Sequence, residues 1–159
     1  MTNPTIRFLL QHPAHFFALG FGSGLAKYAP GTFGTLVAFP LFLLMPNNVL
    51  GLLIIAALFI LGVYFCEVTG KNLGVPDHGA MVWDEIVAFL LLLYFVTPSG
   101  LFWLVAFILF RLFDIWKPFP IRYFDAKLKG GFGVMFDDIL AALYALLSLL
   151  GLQWLMTHF

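Results

Sequence analysis

The chain has 159 residues with eight basic and eight acidic side chains, so its formal net charge is zero. Hydrophobic residues make up 62% of it, charged residues only 10%, and mean hydropathy is +1.01. Such a composition excludes an ordinary soluble domain and makes a bilayer the simplest solvent for one domain spanning 1–159.

In chain order, RFLLQHPAHFFAL comes first, with an apolar face and Pro13 inside it, and predicts an N-terminal interfacial helix over Pro4 to Ala18. It has neither the continuous apolar core nor the small-residue cleavage site of a secretory signal. GFGSGLAKYAPGTFGTL follows at 20–36, a glycine-rich loop carrying Lys27 and the hydroxyls of Ser23, Thr32 and Thr35. Glycines let backbone N–H groups approach an anion closely, although a turn or a close helix contact accounts for them equally simply. No nucleotide-binding signature is completed here. Thr35 to Met45 is a short apolar run containing Pro40 that ends at the turn MPNN, 45–48. Val49 to Cys66 holds eighteen uncharged residues and predicts a transmembrane helix. Ile86 to Phe110 is also uncharged, but TPSG at 97–100 divides it, which predicts two short helices. Ile139 to Met156 predicts a C-terminal transmembrane helix.

Neither MPNN nor TPSG carries a charge. If both are tips of helical hairpins, all sixteen charged residues collect at one membrane face, which the positive-inside rule makes cytoplasmic. The fold expected is therefore all-α, a polytopic membrane helical bundle of short hairpins. Cys66 is the only cysteine, which rules out an intrachain disulfide and points to a small buried hydrophobe. His12, His15, His78 and His158 read as interfacial or solvated, with His78 near enough to Asp84 in sequence to be worth testing.

Chemistry is expected on the charged face. Asp84 and Glu85 precede one apolar run and Asp137 and Asp138 another, so each doublet is placed at a helix opening, where a single acid would serve as a cap. The second acid of each pair sits near a membrane boundary, where charge is costly, and clustered carboxylates suit a hard cation such as Mg²⁺. Arg111 and Asp114 share a helix face, and Lys117 lies just beyond in WKPFP, where two prolines end the helix. Cations beside carboxylates fit a phosphate-bearing substrate. A small transporter or membrane-complex subunit is the alternative reading, and it expects charges on both sides or at mid-depth.

GFGSGLAKYAPGTFGTL, WDEIVAF, FRLFDIWKPFPI and KGGFGVMFDDILAALYA, in this order and spacing, resemble the bacterial phosphatidylglycerophosphatase A family over about residues 16 to 150. The resemblance implies a Mg²⁺-dependent lipid phosphatase of the bacterial inner membrane, acting at the cytoplasmic leaflet to convert phosphatidylglycerophosphate to phosphatidylglycerol. The partners it implies are that lipid and the membrane around it, with no nucleic acid. It places the polar motif positions on Lys27, Thr32, Asp84, Glu85, Arg111, Asp114, Lys117, Asp137 and Asp138. The expected metal ligands are Asp84, Glu85, Asp137 and Asp138. Asp84, Asp137, Asp138 and Lys27 are expected to be catalytic, and Lys27, Gly31, Thr32, Arg111, Asp114 and Lys117 to bind substrate.

Overall fold

A computed structural model describes residues 3–158, and within them every regular element is helical. The N-terminal stretch forms two short helices, α1 (Ile6–Gln11) and α2 (Pro13–Ala18), separated at His12 because Pro13 starts a helix well but cannot continue one. After a tight turn of 3-10 type over Gly20–Leu25 come α3 (Pro30–Leu43), α4 (Val49–Leu73), α5 (Trp83–Phe95), α6 (Gly100–Trp116), α7 (Ile121–Lys127) and α8 (Gly130–His158).

The predicted turns are present. MPNN separates α3 from α4, with Asn48 capping α4 through its side chain, and TPSG separates α5 from α6. Pro40 remains within α3, one turn from its end. Two helices, α4 and α8, are long and apolar enough to cross a membrane. With 13 and 17 residues, α5 and α6 run for about 20 and 25 Å, short of a full hydrocarbon core.

The core is built around α5. Its residues Trp83 to Leu90, with Leu92 and Leu93, are all buried, and α3, α4, α6 and α8 surround it. A helix that is apolar on every side belongs inside a bundle. Here it puts Asp84 and Glu85 at the buried end of the most enclosed element. Trp83, a residue type expected at the interface, is likewise interior, its indole N–H donating to the Leu58 carbonyl at 3.2 Å. In contrast α4 and α8 leave much of their apolar surface outward, with Leu53, Ile60, Leu147 and Leu155 exposed.

The largest departure from the sequence reading is the start of α8. It begins at Gly130, nine residues before the apolar run, so Asp137 and Asp138 lie in its third turn rather than at its opening. Glu67 of α4 reaches across to that true opening and accepts the Gly131 N–H at 2.7 Å. A side chain at Gly131 would collide with the Val63 carbonyl, so the glycine lets α8 lie directly on α4. KGGFG is thus a helix-contact sequence, and its Gly131 amide is already paired.

Candidate active site

Four chain segments converge at the buried end of α5. Asp84 and Glu85 occupy its first turn, but the N-cap residue is Val82 and no side chain caps the helix, so neither acid has the capping role that its position suggests. Asp138 comes from α8. Ligand oxygens of Asp84, Glu85 and Asp138 lie within 4.8 Å of one another, and all three residues are nearly inaccessible to solvent. Two acids adjacent on a helix point about 100° apart. Asp138 therefore faces the α5 acids while Asp137 turns to the Lys117 ammonium.

The cations come from the end of α6. Arg111 Nη1 forms an ion pair with Asp114 Oδ2 at 2.7 Å and donates to Glu85 Oε1 at 3.4 Å. The same nitrogen is 3.5 Å from the Thr35 hydroxyl, which itself donates to the Gly31 carbonyl at 2.8 Å. Lys117, the C-cap of α6, adopts φ of 45°, a left-handed conformation costly for a residue with a Cβ, and this swings its ammonium onto Asp137 and, at 2.9 Å, onto Asp125 of α7. Burial alone would lower the Lys117 pKa, but Asp137 and Asp125 together hold it above the usual lysine range.

Five carboxylates, Asp84, Glu85, Asp114, Asp137 and Asp138, thus meet two cations, Arg111 and Lys117. Asp84 Oδ1, Glu85 Oε2, Asp137 Oδ1 and Asp138 Oδ2 are buried without a hydrogen-bond partner, as is Arg111 Nε. Leaving so many acceptors dry and unpaired is expensive. A hard divalent cation is the chemistry this oxygen set fits, and its charge would offset the excess of carboxylates.

Gly31 contributes by lacking a side chain. A Cβ there would collide with Glu85 Oε1 and come within 2.8 Å of Arg111 Nη2, so the first turn of α3 forms one wall of the site. Other parts of the glycine-rich loop serve packing. Gly24 lies against the Ala80 carbonyl and Gly34 against Val82, while the Gly22, Gly24 and Ala26 amides donate to carbonyls of the loop itself or its approach. Those amides are therefore not displayed to an anion. Lys27 is exposed, its ammonium 5.4 Å from the Tyr28 ring centre, and neither it nor the half-buried Thr32 side chain bonds to the acidic cluster. Thr35, one helical turn beyond Gly31, is the hydroxyl that reaches the site, and the i, i+4 spacing in GTFGT is the signal that marks it.

Two of the histidines, His15 and His78, are more enclosed than their sequence context suggests, while His12 is half-buried and His158 exposed. His15 is buried, stacked on Phe8 at 4.0 Å, and bridges the Phe8 carbonyl to the Asn72 side chain. His78 is buried too, its Nδ1 accepting the Ala80 N–H at 3.1 Å. Each is committed to holding backbone segments together. Cys66 is buried and unpaired as expected.

Residues 16–153, which include this constellation, match the family described as Phosphatidylglycerophosphatase A. The chain belongs to the phosphatidylglycerophosphatase A family. It is 46% identical to the Phosphatidylglycerophosphatase A of Haemophilus influenzae, with 97% of each chain covered. Against the Escherichia coli protein of the same name it is 41% identical, covering 93% of this chain and 89% of that one. A Bacteroides thetaiotaomicron protein, provisionally named a phosphatidylinositol-3-phosphatase, is 38% identical over 85% of this chain and 90% of its own. No solved structure matches the chain. Every polar family position noted in the sequence, from Lys27 to Asp138, falls within the matched span.

Proposed function

We propose that this member of the phosphatidylglycerophosphatase A family hydrolyses the terminal phosphomonoester of phosphatidylglycerophosphate to give phosphatidylglycerol and phosphate, with Mg²⁺, at the cytoplasmic face of a bacterial inner membrane. The observation that carries this reading is the meeting of Asp84, Glu85 and Asp138 from two helices, with unpaired buried oxygens, beside Arg111. Membership in a family named for this reaction supplies the substrate class.

Asp84, Glu85 and Asp138 are the residues that would hold Mg²⁺, which when bound supplies Lewis acidity and charge neutralisation at the phosphoryl group. Arg111 is fixed by Asp114 and Glu85, so its remaining guanidinium N–H groups meet the phosphoryl oxygens at little ordering cost. Lys117 fixes Asp137 through one carboxylate oxygen and leaves Oδ1 unpaired, in position to accept a proton from an attacking water. Lys27, which is exposed, and the half-buried Thr32 come from the same segment as Gly31 and would meet the substrate from outside rather than at the reacting atoms. The reading places α5 and α6 as a short hairpin within a polytopic bundle, with α5 screened from lipid by α3, α4, α6 and α8.

The test incubates detergent-purified protein with phosphatidylglycerophosphate, phosphatidic acid or a soluble phosphomonoester, each with Mg²⁺ or chelator. Phosphate released from the first substrate, and only with metal, is the expected result. Asp84→Asn and Asp138→Asn should each reduce it at least about 100-fold while the protein still reaches the membrane. Full activity in either variant, or equal release with chelator, removes the proposed centre.

A further inference from the structure

The proposed substrate carries two phosphates, the terminal monoester and, across one glycerol unit, the diester that joins the headgroup to the lipid. Arg111 and Lys117 are both already paired with carboxylates around the site of the monoester. A second anion, less buried than the first, needs a cation of its own. Beside the site lies a groove of about 1160 Å³ formed by the end of α6, the turn after it and α7. Its walls include Trp116, Lys117, Phe119, Arg122, Tyr123 and Asp125. Lys117, which bonds both Asp125 of the groove and Asp137 of the site, is where the groove adjoins the site.

Arg122 is exposed and, among the described residues, makes no ion pair or hydrogen bond through its guanidinium. The rim around it is aromatic and open, with Trp116 68% and Tyr123 46% exposed. Aromatic side chains of this kind settle at headgroup depth, where a phospholipid's diester also lies. A free guanidinium at that depth, next to a site for a phosphomonoester, is complementary to the diester of the same molecule.

On the functional reading above, we propose that Arg122 binds the phosphodiester of the lipid substrate and thereby selects a headgroup that carries a second, inner phosphate. The test measures KM and kcat for phosphatidylglycerophosphate in mixed micelles, and inhibition constants for phosphatidylglycerol and inorganic phosphate, in wild type, Arg122→Gln and Arg122→Lys. Phosphatidylglycerol retains the diester without the monoester, and inorganic phosphate has neither glycerol nor diester. In Arg122→Gln the KM and the phosphatidylglycerol inhibition constant should rise together by about 10-fold or more, the scale of a lost charge-assisted pair. The phosphate constant should stay within about twofold and kcat within about threefold, and Arg122→Lys should recover part of the loss. An unchanged KM overturns the assignment, as does a KM rise without a matching rise for phosphatidylglycerol, or one shared by phosphate. If wild type releases no phosphate from phosphatidylglycerophosphate, the functional reading itself fails. If wild type is active and the variants equal it, only the role of Arg122 does.

Discussion

At the scale of single residues, the site is held by groups whose roles follow from what they touch. Gly31 is the most sensitive, because the space a Cβ would take is filled by Glu85 and Arg111. Gly31→Ala should lower kcat/KM by about 100-fold or more through misplacement of those two side chains, with the helical circular dichroism signal intact. Unchanged activity would show that α3 does not wall the site. Lys117 makes a different prediction, since removing it strands Asp137, whose side chain is only 5% exposed. Lys117→Met should destabilise the protein by about 3–5 kcal/mol, and adding Asp137→Asn should return much of that. The contribution also has a pH signature. Because the folded ammonium titrates above the ordinary lysine value, its stabilisation is complete below about pH 10 and is lost as pH rises beyond that. Thermal unfolding of wild type and Lys117→Met in detergent, compared from pH 7 to 11, should show a constant gap up to about pH 10 that begins to narrow above it.

At the scale of elements, the junction of α4 with α8 positions Asp138. Glu67→Ala removes the acceptor of the Gly131 N–H and should cost about 1 kcal/mol, seen as a fall in melting temperature of about 3 °C. Gly131→Ala, which drives a methyl group into the Val63 carbonyl, should do far more harm and separate the two helices. The elements were legible in the sequence where apolar length and turn residues agree, as in α4, the two turns at MPNN and TPSG, and the division of Ile86 to Phe110. The start of α8 was hidden because Gly130, Gly131 and Gly133 read locally as a loop, while their actual use is contact with α4 and with Leu128. The same ambiguity affected the first glycine-rich stretch. Spacing alone cannot tell a glycine that bares its amide from one that admits a neighbouring backbone, and here only Gly31 faces the acids. The acidic doublets were visible as chemistry because paired charges in so apolar a chain need a reason. Their division of labour was not, since it depends on which way each helix face turns.

At the scale of the whole molecule, an enclosed α5 and outward apolar faces on α4 and α8 describe a bundle whose charged end and uncharged turns are separate. The proposed topology predicts that Asn47→Cys and Thr97→Cys, one in each turn and both at exposed positions, react with an impermeant maleimide in spheroplasts with an intact inner membrane. Lys127→Cys should react only after that membrane is permeabilised. Labelling of the two turn positions from opposite sides would require one of the hairpins to be redrawn. Nor is the site a property of any one part of this bundle. Asp84 and Glu85 are made early, and Asp138 is separated from them by more than fifty residues and arrives with the last helix. During translation α8 must therefore emerge and insert beside α4 before the proposed hydrolytic centre can form. A nascent chain that has not yet delivered α8 would be inert toward the lipids around it.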